Sequence, residues 1–491
     1  MFKKILFLVL IALPCFAFGL TVDVYHTSDV HGFYFPRPAG KGVQKGGFAL
    51  LAGYLNKQEK PYLLLDSGDF TSGTYEAKKT GGNLSVQFMN ALNYDAATIG
   101  NHENDFKKDN LLKNMQSATF DILAANMYDS NTGTLFKGVR PYAIYRIKGK
   151  RIGVIGLAKE FSTRADGIKI SNDKTALKKA LKELKEQNPD AIILLTHSSV
   201  NDDKHKDVQS NFNLVKGLEG INVVLGGHAH KIFENTYNDE GVLFVESGTA
   251  LTQLSRIALN FDDKTGKFEG AVSELIELTD DKYTPDPEIT AFADKNRDKE
   301  MDKVIGKSAA FIAHYPPKDG SYIDAPLSNL IADLIKQYAA TDIGMQNTGG
   351  TRENIYAGDI TNRTVYQIFP FSNTVCKVQV TGKFIKNMLY RILRENKSLF
   401  EFSGLEVKYK YEHERPQLVS VKINGKNLEP YRTYSLATNN HIAKGNSEGF
   451  MFKKIPAECS SKTLTELFTD YVKSNPEGIK APNNGRIIKV N

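Results

Sequence analysis

Five short stretches of the chain carry the residue types that hold divalent metals: Asp29 and His31 in SDVHG, Asp69 in DSGDF, Asn101 and His102 in IGNHEND, His197 in LLTHSS, and His228 and His230 in LGGHAH. Five of the ten histidines fall in these places. Any one of them alone reads as a turn with a satisfied histidine. Together they supply imidazole nitrogens, carboxylate oxygens and an amide oxygen with no thiolate, a donor set suited to Zn, Mn, Fe or Co rather than an iron–sulfur cluster. Residues so far apart in sequence make one site only if the fold gathers them.

The elements around them supply the means. Short apolar runs bounded by Gly, Asp or Asn read as buried strands: the run opening LTVDVYHTSD, then Tyr62 to Leu65, Ala96 to Ile99, Ile152 to Leu157, Ala191 to Leu195, Val223 to Leu225 and Val242 to Val245. Helical stretches lie between several of them, at Phe48 to Asn56, Leu84 to Leu92 and Lys174 to Gln187. Such alternation predicts an α/β layered core with parallel strands. In an open α/β sheet, sites gather beyond the carboxyl ends of the strands, and each of the five stretches follows such a run. Around Asp280 to Val304 the composition turns charged and Pro-containing, ahead of an expected exposed helix. Beyond it, a helix over Leu327 to Tyr338 and strands over Val375 to Val380, Gly404 to Tyr411 and Leu418 to Ile423 predict a smaller α+β domain.

The ordered set SDVHG, DSGDF, GNHEND, His197 and GGHAH resembles the calcineurin-like metallophosphoesterases. SNLIAD (Ser328 to Asp333), NTGGTR (Asn347 to Arg352), GDIT (Gly358 to Thr361), FPFSNT (Phe369 to Thr374) and VTG (Val380 to Gly382) resemble the carboxy-terminal domain of the 5′-nucleotidase family. The resemblance implies an α/β fold class: an amino-terminal layered metallophosphoesterase domain over residues 20–283, a linker helix over 284–304 and a smaller α+β carboxy-terminal domain over 305–491. It implies two divalent cations, with Zn, Mn or Co expected, one held by Asp29, His31, Asp69 and His230 and the other by Asp69, Asn101, His197 and His228. Asp69 would bridge them, as two-metal displacement at phosphorus requires. Histidine at position 230 departs from the glutamine of some members, a change expected to tune metal preference. His102 is implied as the acid for the leaving alkoxide, oriented by Asp105, and Arg352, Asn347 and Phe371 as the phosphate grip, the base or ribose contact and the ring stacked on the base.

Two departures bear on substrate grip. GSYIDAPL, before SNLIAD, lacks the further phosphate-binding arginine that family members commonly carry, and the second stacking Phe would fall around His441 or Ile442. The leading expectation is release of phosphate from nucleotides, extending to UDP-sugars or dinucleotide pyrophosphates. A 2′,3′-cyclic nucleotide phosphodiesterase or 3′-nucleotidase, a sulfur-ester hydrolase on the same scaffold, and a non-catalytic exported binding protein remain as alternatives.

Composition sets the context. At 491 residues, two domains are expected, and 41% hydrophobic with 24% charged residues is an ordinary globular balance. Lys3 and Lys4 precede an apolar run that ends near Ala17-Phe18-Gly19, which reads as a cleaved export signal over residues 1–19. Ile5 to Leu20 contains Pro14 and is shorter than the ~20 residues of a spanning helix, so a periplasmic or secreted protein without stable membrane insertion is expected. The formal net charge of +7 is spread over dispersed lysines without a basic block, so no nucleic-acid groove is expected. Cys376 and Cys459 remain after the signal, and the sequence leaves open whether they pair.

Overall fold

Continuous apolar runs need cover on both faces, and here two sheets and flanking helices supply it. The computed structural model describes residues 19–161, 165–200, 210–316, 323–394, 400–482 and 485–490. The expected export signal lies outside these residues except for Gly19, as do Gly320 to Tyr322 of the GSYIDAPL segment. No described helix is long and apolar enough to cross a membrane. Chain contacts divide the described residues into two compact units, one drawn from those up to 31, 46–71 and 85–286, the other from 32–45, 72–84 and those from 287 onward.

The first unit holds two six-stranded sheets. In one, Thr21–Thr27, Leu63–Asp66, Ala96–Ala97 and Asp121–Ile122 run parallel, with Gln253–Phe261 and Phe268–Glu277 added antiparallel at the side of Thr21–Thr27. In the other, Leu243–Ser247, Val223–Gly226, Ala191–Thr196 and Lys150–Leu157 run parallel, flanked by the antiparallel Ile232–Tyr237 and Tyr142–Ile147. Side chains alternate across each strand. Val154, Ile193, Leu195, Val223 and Val245 accordingly meet Val22, Val24, Leu63 and Leu65 of the first sheet in one core. Ile155, Ile192, Leu194, Val224 and Phe244 face the other way, onto Leu177, Leu181 and Leu184 of helix Asp173–Lys185. That helix begins where the Asn172 side chain accepts the Thr175 N–H, which satisfies one of its orphan donors.

His26, fully buried, joins the sheets: its Nδ1 lies 2.7 Å from Ser247 Oγ and its Nε2 2.8 Å from Ser67 Oγ. Burial pushes its pKa down to about 3, so it is a neutral polar strut.

The second unit is built on a five-stranded sheet in the order Phe400–Ser403, Ile343–Asn347, Thr433–Asn439, Thr374–Thr381, Ala457–Thr463, beside a four-stranded sheet from Leu405–Glu412, Arg415–Ile423, Lys426–Asn427 and Ile487–Lys489. Helix Pro326–Ala339 starts on a proline, whose fixed φ suits the first turn. It buries Leu327, Leu330, Ile331, Leu334 and Ile335, one face at helical spacing. Cys376 and Cys459, directly opposite on neighbouring antiparallel strands, form a disulfide.

Two short excursions, residues 32–45 and 72–84, belong to this unit although they follow His31 and Thr71 in sequence. Arg363 fixes the second excursion, its Nη1 lying 2.7 Å from both carboxylate oxygens of the buried Glu76. Arg37 of the first excursion pairs with Glu353 at 3.1 Å.

Candidate metal centre

Parallel strands that end on the same side of their sheets deliver their following residues to one place. Thr21–Thr27 is followed by Asp29 and His31, Leu63–Asp66 by Asp69, Ala96–Ala97 by Asn101 and His102, Ala191–Thr196 by His197, and Val223–Gly226 by His228 and His230. The chain turns sharply at these points. Asp29, His31, Asp69, His228 and His230 all adopt left-handed backbone conformations, with φ of 50°, 48°, 57°, 76° and 55°. Each costs roughly 1–3 kcal/mol for a non-glycine residue, and such strain clusters at functional sites.

The turns are locked together. Asp29 N–H donates to Gly68 O at 3.0 Å and His31 N–H to Asp69 O at 2.9 Å. Gly68, at φ 91°, passes so close to Gly100 that a Cβ would stand 2.6 Å from the Gly100 nitrogen. Gly100 in turn lies against the Asp69 carboxylate, where a side chain would collide.

Two groups of ligand atoms result, Asp29 with His31 and His230, and Asp69 with His197 and His228. Within each group the atoms lie within 4.8 Å of one another. In the first, His31 Nε2 is 3.1 Å from His230 Nε2, and Asp29 Oδ1 is 3.4 Å from His230 Nε2 and 3.9 Å from His31 Nε2. In the second, Asn101 Oδ1 is 2.8 Å from His228 Nδ1. Asp69 Oδ2 faces both groups, 2.9 Å from His197 Nε2 and 3.9 Å from His31 Nε2. The other oxygen, Oδ1, accepts the His102 N–H at 2.7 Å. A single oxygen of Asp69 therefore stands between the groups while its partner fixes the carboxylate.

The donors fit divalent cations. His197 Nδ1 donates to Ser67 O at 2.7 Å, which leaves Nε2 as the nitrogen turned to the centre. That Nε2 is buried and, among the described residues, makes no well-aligned hydrogen bond. Burial works against the charged imidazole, yet Asp69 and Asp29 outweigh it and push the His197 pKa up to about 10. Asp69 itself is held well below the usual carboxylate range: burial opposes its charge, but His197 and the neighbouring imidazoles His102 and His31 prevail. The buried Asp29, Asp69, His31 and His197, with the more open His230 and His228 at the rim, have the charge and donors of a metal site rather than of a packed core.

His102 stands beside the groups. Its ring centroid is 5.5 Å from that of His31, and its Nδ1 is 2.6 Å from Asp105 Oδ2. The Asp105 carboxylate fixes the orientation of the ring through Nδ1.

The residues expected to contact substrate lie in the second unit. Asn347 is buried at the end of strand Ile343–Asn347, and its Oδ1 accepts from Asn439 Nδ2 at 2.8 Å. The Arg352 guanidinium lies 5.9 Å from the centroid of the Phe371 ring. Phe369, two residues earlier, fills the core, and Phe371 is only half-buried. Ile442 is fully buried in the core and His441 half-exposed, so of the two positions near the absent second ring only His441 reaches the surface.

Sequence reasoning missed Glu103. Its carboxylate accepts the backbone N–H groups of Gly100 at 2.6 Å, Phe70 at 2.8 Å, Asp69 at 2.9 Å and Thr71 at 3.2 Å, tying the loop of Asp69 to the loop of Asn101. Only its place inside GNHEND marked it, since an acceptor of backbone hydrogen bonds leaves no pattern of its own in sequence.

Comparison with known proteins agrees with the geometry. Residues 22–232 match the family model described as calcineurin-like phosphoesterase, and residues 304–454 the model described as 5′-nucleotidase, C-terminal domain. Endonuclease YhcR of Bacillus subtilis is 26% identical over 91% of this chain, and the chain spans only 39% of that protein. A 5′-nucleotidase of Vibrio parahaemolyticus is 24% identical, over 92% of this chain and 89% of that one. The crystal structure of a 5′-nucleotidase precursor from Thermus thermophilus superposes with a TM-score of 0.81 at 26% identity, covering 96% of this chain and all of that one. With both domain types matched in order, the chain belongs to the calcineurin-like metallophosphoesterases that carry a 5′-nucleotidase carboxy-terminal domain.

Proposed function

We propose that the protein is an exported, two-metal phosphohydrolase of the 5′-nucleotidase type, releasing phosphate from nucleotides. The observation that carries this reading is Asp69 Oδ2 set between two groups of ligand atoms, with the His102–Asp105 pair alongside. Two divalent cations, when bound, neutralise phosphoryl charge and make water a competent nucleophile at neutral pH. Asp29, His31, Asp69 and His230 are assigned to one and Asp69, Asn101, His197 and His228 to the other. His102 gives a proton to the departing ester oxygen, and Asp105, holding Nδ1, keeps the ring oriented.

In the second unit, Arg352 is assigned to the phosphate, Phe371 to the base and Asn347 to base or ribose polar atoms. The names of the Vibrio and Thermus relatives support a nucleotide substrate, and the similar length of those chains supports a comparable architecture. Export is supported by the amino-terminal Lys3-Lys4 and apolar run and by the Cys376–Cys459 disulfide, a bond that persists in oxidising compartments.

The test is phosphate release by metal-loaded protein from 5′-, 3′- and 2′,3′-cyclic nucleotides and UDP-glucose, with Mn, Co or Zn and with chelator. Chelator-sensitive release from AMP in preference to the 3′ and cyclic isomers is expected. Preference for a 3′ or cyclic isomer, or inertness with every metal, overturns the assignment.

A further inference from the structure

Five parallel strands of the first unit's sheets lead to the candidate ligands Asp29, Asp69, Asn101, His197 and His228, but the parallel strand Lys150–Leu157 leads to Lys159. Its register places Leu157 beside Thr196, the residue before His197. The backbone here is clamped. Asn126, fully buried, accepts the Ala158 N–H at 2.8 Å through Oδ1 and donates to Ala158 O at 2.8 Å through Nδ2. Lys159 N–H then donates to Ile99 O at 2.9 Å, two residues before Asn101. Lys159 thus leaves a fixed backbone between the loops that bear Asn101 and His197.

The half-buried side chain ends with Nζ 3.4 Å from the hydroxyl of Ser198, next in sequence to His197. Among the described residues no carboxylate comes within ion-pair distance of it. Asp173, which draws on the ammonium from farther off, already accepts from Asn126 Nδ2 at 2.6 Å. Asp69 acts on Lys159 in the same sense, and Lys159 in turn disfavours the charged form of His228. Among the described residues this partly desolvated ammonium has one long neutral side-chain hydrogen bond, and burying such a charge is costly unless an anion completes it. The ammonium would also repel a nearby metal cation, so it is not there to strengthen metal binding.

We propose that Lys159 is a catalytic residue that takes a phosphoryl oxygen of the bound ester, a fixed positive charge on the side of the centre formed by Asn101, His197 and His228. The inference rests on the phosphohydrolase reading above. It adds to that reading a protein cation from the first unit, whereas the phosphate grip expected from sequence lies wholly in the second. An ammonium is a compact point charge with three donors, suited to an oxygen that gains charge during displacement.

The test compares wild type with Lys159→Met, Lys159→Gln and Lys159→Arg, all metal-loaded. Elemental analysis gives metal content, titration calorimetry the affinity for inorganic phosphate, and steady-state kinetics kcat and KM for AMP and for p-nitrophenyl phosphate. Loss of a charged hydrogen bond should weaken phosphate binding at least about tenfold in the Met and Gln variants and lower kcat/KM for both esters alike. Metal content should be unchanged or higher, and Arg should restore part of the loss. Two neutral variants guard against misfolding in one of them, with melting temperature as the check. Equal phosphate affinity in wild type and both neutral variants overturns the inference alone, as does loss of metal from those variants. A metal-loaded wild type that neither binds phosphate nor releases it overturns the phosphohydrolase reading, and this inference with it.

Discussion

Asp69 and His197 form an ion-pair contact at 2.9 Å between Oδ2 and Nε2, yet among the described residues that nitrogen makes no well-aligned hydrogen bond. The ring cannot turn to improve the contact, because Nδ1 is committed to Ser67 O. Two donors of electron pairs held this close in a buried pocket are arranged for a cation. Asp69→Ala is therefore expected to lose metal and activity together, because both groups of ligands lose the oxygen between them. Elemental analysis of the purified variant checks this. Two equivalents of metal retained with activity gone would move Asp69 from ligand to proton chemistry.

In the role proposed for it, His102 separates metal binding from proton transfer. Its backbone N–H holds Asp69 Oδ1, while its ring engages Asp105. Removing the ring leaves the backbone bond in place. His102→Ala should keep its metal and lose roughly 10²- to 10⁴-fold in kcat, the usual span for a general acid. The loss should be smaller for an ester with a good leaving group, such as p-nitrophenyl phosphate, than for AMP. An equal loss on both esters would argue against proton donation.

Arg352 should act on binding. Its guanidinium is set beside the half-buried ring of Phe371, an arrangement suited to a ligand with an anionic end and a flat apolar end. Arg352→Ala should chiefly raise KM for AMP, by roughly tenfold or more given the worth of a charge-assisted hydrogen bond. A KM equal to that of wild type would return Arg352 to the surface ion pairs that contribute little.

Much of this was legible in the sequence, and the physical reason differs between elements. The central strands are buried on both faces, so their apolar runs are continuous, as at Ala191–Thr196 and Val223–Gly226. Helix Pro326–Ala339 shows its buried face at helical spacing. The candidate ligands were legible only as a set, since one Asp or His after a strand reads as an ordinary turn whereas five such endings on parallel strands point to one place. The hairpin Gln253–Phe261 and Phe268–Glu277 was not, since polar residues interrupt it wherever a face meets solvent. Nor was the grouping of residues 32–45 and 72–84 with the second unit, which depends on single ion pairs such as Arg363 with Glu76. Lys159 went unmarked because a lone lysine after a strand is ordinary until its register against Thr196 is known.

Asp302 gives the second unit a pH-dependent component of stability. It accepts from Arg297 at 2.6 and 2.9 Å and from Arg363 at 2.8 Å. Burial opposes its charge, but the two guanidinium groups win and hold its pKa down to about 2. The folded value lies below the unfolded one of about 3.9, so the stabilisation is full above that value and is lost as pH falls through about 2. The site is partly open to solvent, which reduces the effect to about 1 kcal/mol. Asp302→Asn should lower the urea midpoint at pH 7, with the gap to wild type closing at pH 2. A gap independent of pH would assign the loss to packing.

The disulfide offers the last test, because it ties the strand carrying Cys376 to that carrying Cys459. Cys376 is fully buried and Cys459 exposed, and 83 residues of sequence separate them. Closing a loop of that length in the unfolded chain corresponds to about 4.5 kcal/mol in the chain-entropy picture, of which engineered and natural bridges often deliver 2–4. Cys459→Ser would leave a lone buried thiol that packs like a small apolar residue, so the loss should come from the missing link and not from a cavity. The second unit's melting transition should fall by several degrees, while metal content, which depends on residues of the first unit, should not change. Thiol titration of unfolded wild type without reductant should find neither thiol free. Two free thiols there, or a variant as stable as wild type, would remove the bond from any account of this unit's stability.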